Sequence, residues 1–189
     1  MSLTPAFEIG LWNAWIFMLC LALQNLLPRP IAGKDGFKRL GEAADTQTAK
    51  AGKRISTLNM VIYILLTIYS IFLPLKLGTL WFYTGLPIGI LGLILSTVAI
   101  ASIANIPLDK PFTKGLYRYS RHPMYVTYAL TLIGVGIASA SWIFLVFSFV
   151  STALLFIQAT YEERFCLDKD GIAYREYMNR TPRYIGIPK

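Results

Sequence analysis

Pro123-Met-Tyr-Val-Thr-Tyr-Ala-Leu-Thr-Leu-Ile-Gly-Val-Gly-Ile-Ala-Ser139 and Trp142-Ile-Phe-Leu-Val-Phe-Ser-Phe-Val-Ser-Thr-Ala-Leu-Leu-Phe-Ile-Gln-Ala-Thr-Tyr161 are separated only by Ala140-Ser141. Neither run contains a charged residue, and almost nothing polar divides them. They read as a tight helical hairpin, so the start of the first run lies beside the end of the second. Working outward, three more apolar segments precede this pair: about Glu8 to Leu27, about Ser56 to Pro74, and about Leu80 to Ala104. Each is close to the roughly 20 residues that a bilayer core requires.

The composition agrees. Of 189 residues, 55% are hydrophobic and only 15% charged, whereas a soluble domain carries about 25% charged residues. The expected fold is all-α: an integral membrane protein of five transmembrane helices, the fourth and fifth a hairpin, with a polar C-terminal tail. It forms a single membrane domain over residues 1–189. Residues 1–104 hold helices one to three and a polar loop at 28–55, and residues 105–189 hold a loop, the hairpin and the tail.

Charge sets the orientation. Residues 28–55 carry seven basic side chains, 105–121 carry four and the tail six. Only Lys76 lies in the loop between segments two and three. Five spans put 17 of the 18 basic residues on one side, the cytoplasmic side by the positive-inside rule, with the N-terminus outside. The net charge of +8 is then topogenic, and no nucleic-acid partner is implied. Trp81, Phe82, Tyr83 and Trp142 fall at the outer interface, where aromatic belts form. Gly85, Gly89, Gly92 and Ser96 share one face of segment three; close helix packing is the plain reading, a ligand groove the minority one. Cys20 and Cys166 form no metal or redox motif by spacing.

Two polar clusters flank the hairpin on its cytoplasmic side. One is Asp109 to Tyr125, which contains His122, the sole histidine; the other is Tyr161-Glu-Glu-Arg164. Hairpin geometry makes His122 and Glu163 neighbours. A helix starting near Pro123 directs free N–H groups at whatever precedes it and favours an anion there, an effect Arg121 and His122 reinforce. Glu162 and Glu163 favour an ammonium, a sulfonium or hydroxyl donors. Tyr117 and Tyr125 offer flat faces to a heteroaromatic ring. S-adenosylmethionine has all these parts; NADPH has the anionic and aromatic ones. Singly, each residue also has a plain role: His122 as a helix cap, the glutamates as salt-bridge partners, the tyrosines as interfacial anchors. Their convergence is the signal. No Gly-x-Gly-x-x-Gly follows a strand, no phosphate loop occurs, and one histidine speaks against a bound transition metal.

Pro111-Phe-Thr-Lys-Gly-Leu-Tyr117, Arg121-His-Pro-Met-Tyr125, the pair Glu162-Glu163, and then Gly171, Tyr174, Tyr177 and Thr181-Pro-Arg-Tyr-Ile185 resemble the isoprenylcysteine carboxyl methyltransferases and their prokaryotic relatives. The likeness runs from about Ile106 to the C-terminus. It implies a methyltransferase of a prokaryotic cell membrane that uses S-adenosylmethionine and releases S-adenosylhomocysteine, with a cytosol-facing pocket capped by the tail. Carried over, Asp109, Lys110, Pro111, Phe112, Tyr117, Arg121, His122, Pro123, Met124, Tyr125 and Glu163 bind the cofactor. Eukaryotic members place an arginine four residues before that glutamate, toward the substrate carboxylate; here the position is Ala159, which weakens a prenylcysteine acceptor.

The expected activity is methyl transfer to a lipid, prenylated or other apolar acceptor that arrives from the bilayer, through a carboxyl, amine or hydroxyl group. A carboxylate needs no base; for an amine or hydroxyl, Glu162 and His122 are the candidate bases. The alternatives are an NADPH-dependent, sterol-reductase-like membrane enzyme and a non-enzymatic membrane assembly protein. No intramembrane charge marks an ion path.

Overall fold

A computed structural model describes residues 7–26, 50–104 and 114–188. Among these are five α-helices and no strand: α1 (Trp15–Leu26), α2 (Lys50–Ile71), α3 (Leu80–Ala104), α4 (Pro123–Ala138) and α5 (Trp142–Arg180), with a short 3-10 turn at Gly115–Arg118 before α4. The polar loop at 28–55 lies outside the described residues up to position 49, and its last residues, from Lys50, open α2.

The hairpin is present, and local chemistry explains its bounds. Pro123 occupies the first turn of α4, where its missing N–H is no loss. Ala140 takes a left-handed φ of 49° between the helices. Ser141 then caps α5, its hydroxyl accepting the Phe144 N–H at 3.3 Å.

The small-residue face of α3 is a packing seam against α4. A Cβ on Gly85 would lie 2.2 Å from the Ala138 nitrogen, and one on Gly92 would lie 2.4 Å from Thr131 Oγ1. From the other side, a Cβ on Gly134 would lie 2.2 Å from the Gly89 nitrogen. Only glycine permits this approach. Ser96 departs from the seam and faces a cavity described below.

Helix lengths differ from the expectation of five similar spans. α2, α3 and α5 are long and apolar enough to cross a membrane; α1, of 12 residues, and α4, of 16, are shorter. At 1.5 Å per residue α1 rises about 18 Å against a core of about 30 Å. The reason lies in residues 7–14, which are drawn out of helix by the chain leaving α2. Asn13 Nδ2 donates to Glu8 O at 2.6 Å and to Ile71 O at 2.7 Å. Ala14 N–H donates to Leu73 O, and Leu75 N–H to Trp12 O. The apolar run was legible, but its conformation depends on a partner 58 residues away.

α5 also departs from expectation. Its apolar part ends at Tyr161, but the helix continues to Arg180, broken at Gly171 with φ 53° and ψ −118°. That left-handed φ suits glycine, and it turns the last nine helical residues off the α5 axis. Residues 181–188 then cross in front of α4: Arg121 N–H donates to Pro182 O, His122 N–H to Arg183 O and Gly186 N–H to Tyr119 O.

Lys76 N–H donates to Ala138 O, so the α2–α3 loop and the hairpin turn share one end of the bundle. The remaining described basic residues sit on elements at the other end. Between the ends, Leu58, Val61, Leu65 and Ile68 of α2, Leu91, Ile94 and Val98 of α3, and Val146, Phe149 and Val150 of α5 are exposed. So broad an apolar belt, on helices of this length, marks an integral membrane protein.

Candidate functional site

His122 holds the N-cap position of α4, yet its side chain makes no capping hydrogen bond. The imidazole instead turns to α5. Nε2 lies 3.3 Å from Glu163 Oε1, and Nδ1 lies 3.5 Å from Glu162 Oε2. The adjacency inferred from the hairpin is therefore present. A neutral imidazole has one donor and one acceptor nitrogen. Carboxylates facing both nitrogens favour the doubly protonated cation.

Glu163 is 3% exposed and is surrounded by cations. Arg121 Nη2 lies 3.0 Å from Oε1, Arg183 Nε donates to Oε1 at 3.1 Å, and Arg183 Nη2 donates to Oε2 at 2.5 Å. Burial alone would raise the Glu163 pKa; the His122 and Arg183 hydrogen bonds and the Arg121 charge reverse this and hold it down, at about 2. Burial alone would lower that of His122; hydrogen bonds and charge from Glu162 and Glu163 outweigh it and raise it.

Glu162 faces the bundle. It accepts from the Tyr125 hydroxyl and from Gln158 Nε2 at 3.2 Å. Gln158 Nε2 also donates to the Tyr125 hydroxyl at 2.9 Å. The His122 and Tyr125 rings stack at 5.4 Å with an interplanar angle of 13°. Tyr117 is buried, which raises its pKa, and its carbonyl accepts the Tyr177 hydroxyl at 2.7 Å. Pro123 and Met124 follow in the first turn of α4. The structure thus brings together Tyr117, Arg121, His122, Pro123, Met124, Tyr125, Glu162 and Glu163. Asp109, Lys110, Pro111 and Phe112 lie outside the described residues. Ala159 is fully buried.

Three members of the cluster were not among the candidate site residues, although Arg183 and Tyr184 stand in the Thr181–Ile185 run that carries the resemblance. Gln158 sits one helical turn before Glu162, and that spacing could have flagged it. Arg183 reaches Glu163 only because the chain reverses after Gly171, which no local pattern announces. Tyr184 stacks on Phe156 with ring centroids 4.0 Å apart and donates its hydroxyl to Phe156 O, anchoring the strap that carries Arg183.

Below Tyr125, away from the charged cluster, lies a cavity of about 470 Å³. All five helices line it: Leu21 and Gln24 from α1, Asn59 and Tyr63 from α2, Ser96 and Ile100 from α3, Met124, Tyr125 and Tyr128 from α4, and Leu155 and Gln158 from α5.

Residues 77–169, just under half of the chain, match the family model of the phospholipid methyltransferases. Over these residues the chain is similar to that family. The match spans α3, α4 and the apolar part of α5, and it includes His122, Tyr125, Glu162 and Glu163. It indicates a membrane methyltransferase and agrees with the methyltransferase resemblance drawn from Arg121-His-Pro-Met-Tyr125. No curated protein matches the chain.

The cluster fixes a pH dependence of stability. The folded Glu163 pKa lies below its ordinary value of 4.5, so its contribution is complete above that value and disappears as pH falls toward 2. The folded His122 pKa lies above its ordinary 6.5, so its contribution is complete below 6.5 and is lost as pH rises through the raised value. Arg121, Arg183 and Glu162 are the charged groups facing the pair. Thermal unfolding of the purified protein should therefore show greatest stability between 4.5 and 6.5 from this cluster, with the alkaline limb absent in His122→Ala.

Proposed function

We propose that the protein is an S-adenosylmethionine-dependent methyltransferase that acts on a lipophilic acceptor entering from the bilayer. The observation that carries this reading is the junction at Tyr125. On one side stand charged groups suited to a polar, zwitterionic cofactor; on the other is a cavity of a size typical of ligand sites.

The residues fit the cofactor on a specific observation. Arg121 Nε is buried and has no hydrogen-bond partner among the described residues, which leaves a cationic donor for a carboxylate beside the start of α4. Glu162 and Glu163 would hold the positive end, and Met124 and Tyr125 would form the wall shared with the acceptor. S-adenosylmethionine, when bound, supplies an activated methyl group on a sulfonium. The chain's own part is alignment and exclusion of water: the anchored strap from Thr181 to Pro188 covers the polar side, and the bundle encloses the apolar side. Glu162 is the group available to take a proton; His122, the other candidate base, is held as the cation by the two glutamates.

In the membrane, the basic end of the bundle faces the cytoplasm and the N-terminus lies outside, by the positive-inside rule. Five crossings result when α1 traverses together with the paired segment at residues 7–14, whose backbone groups are partly satisfied by residues 71–75.

Calorimetry on the detergent-purified protein tests the cofactor. S-adenosylhomocysteine should bind the native chain, and Arg121→Gln and His122→Ala should weaken it about tenfold or more, the scale of a lost charged hydrogen bond. Affinity unchanged in both variants, or binding of NADPH in its place, would overturn the assignment.

A further inference from the structure

The cavity beneath Tyr125 differs from the site above it in the character of its polar groups. Among the described residues its lining contains no charged side chain. The polar groups are amides and hydroxyls: Gln24, Asn59, Gln158, Ser56, Ser96 and the tyrosines. The nearby cations, Arg121 and Arg183, both hold Glu163 and are not among the residues that line the cavity. The nearest carboxylate to the roof, Glu162, is covered by the Tyr125 hydroxyl and by Gln158.

One amide is half used. Gln24 Nε2 donates to Leu93 O at 2.8 Å and to Thr97 Oγ1 at 2.9 Å. The Leu93 carbonyl can only accept, which fixes the nitrogen on that side and the oxygen on the other. Gln24 Oε1 is buried with no partner among the described residues. A buried acceptor left unpaired is unfavourable, and Gln24 is among the residues that line the cavity, so a hydrogen-bond donor that reaches it there is favoured. A carboxylate or phosphate offers no proton and meets no cation here. An ammonium would enter without a carboxylate in direct reach. A neutral hydroxyl satisfies the amide and leaves no charge buried.

Resting on the methyltransferase reading above, we propose that the cavity takes an uncharged, apolar acceptor whose methylated group is a hydroxyl, phenolic or alcoholic. Gln24 helps to hold it, and Tyr125 connects it to Glu162. The O–H bond of the acceptor breaks as its oxygen forms a bond to the methyl carbon, whose bond to sulfur breaks with both electrons staying on sulfur. The acceptor hydroxyl, turning from Gln24 Oε1 to the Tyr125 oxygen, gives up its one proton there while the Tyr125 proton passes to Glu162, so the products are a methyl ether, a neutral thioether and a protonated Glu162. Tyr125 touches the acceptor; Glu162 acts through it.

A matched set of probes tests this with the full chain in lipid nanodiscs: 4-octylphenol, 4-octylbenzoate and 4-octylbenzylamine, which share one apolar body and differ in the head group. Equilibrium binding should favour the phenol by about tenfold, and Gln24→Leu should remove about that much affinity for the phenol alone. Equal or tighter binding of the carboxylate or the amine, no binding of any probe, or indifference to Gln24→Leu overturns the proposal. With labelled S-adenosylmethionine, label should enter the octylphenyl methyl ether. Tyr125→Phe and Glu162→Gln should each lower kcat by about 100-fold or more, the scale of a lost proton acceptor, with KM for the phenol little changed. A rise in KM with kcat retained would contradict the relay. S-adenosylhomocysteine affinity measured on the same preparation separates the two levels: its absence in the native chain refutes the methyltransferase reading, whereas its presence with the wrong head-group order refutes only the hydroxyl acceptor.

Discussion

Glu163→Ala should destabilise the protein by about 3–5 kcal/mol, the cost of stranding buried charges when one partner of a buried ion pair is removed. The carboxylate is the common partner of Arg121, His122 and Arg183, which come from the segment before α4 and from the C-terminal strap. Its loss leaves three cations facing one another. Arg121 and His122 are buried and cannot turn to water without opening the start of α4. The strap loses its ionic tie and keeps the Tyr184 stack on Phe156 and the backbone bonds to Tyr119, Arg121 and His122. Chemical or thermal unfolding in detergent should show the drop, and limited proteolysis should show earlier cleavage after Arg180. Arg183→Gln should cost less, because Arg183 is partly exposed and its absence leaves Glu163 with two cations. If Glu163→Ala matched the native protein in stability, the ion cluster would have no structural role.

Gly134→Leu should have an effect of comparable size through a different cause. A Cβ at Gly134 would sit 2.2 Å from the Gly89 nitrogen and 2.6 Å from its Cα. Backbone on both sides cannot yield as a side chain would, so α3 and α4 must separate. Overpacking generally costs about 1–3 kcal/mol, occasionally more, and a clash of backbone on backbone belongs at the upper end. Separation would also disturb the cavity, since Ser96, Ile100, Met124 and Tyr128 line it from these two helices. The control is Gly78→Ala, where φ is +73° but nothing lies within 4 Å of the added carbon; only the left-handed backbone penalty of about 1–2 kcal/mol applies there. The melting temperature of Gly134→Leu should fall well below that of Gly78→Ala. Equal values would mean that the seam is not tightly packed.

These two sites show what could be read in the chain without coordinates. The seam was visible because Gly85, Gly89 and Gly92 recur at helical spacing within one apolar run, and small residues at that spacing have one common use. The bounds of α3 and α4 followed from Leu80 and Pro123, where composition changes within a residue or two. The meeting of His122 with Glu163 required only a short turn between two apolar runs. The cavity was not legible, because it exists only where five helices leave space, and no one segment encodes it. Arg183 was hidden for a related reason: its reach to Glu163 depends on the left-handed Gly171 and on Tyr184 finding Phe156. The shortness of α1 was hidden because Asn13 is bonded to a carbonyl at the far end of α2. Local pattern fixed what local physics controls, and long-range hydrogen bonds decided the rest.

The most direct test of the account is transfer of labelled methyl groups. The purified protein, reconstituted in vesicles of native membrane lipid, is incubated with S-adenosylmethionine labelled on the methyl carbon, and the lipid is extracted. Label should enter the organic phase with the native chain and be lost with Tyr125→Phe. Label no higher than in protein-free vesicles, from a preparation that remains folded, would contradict the account.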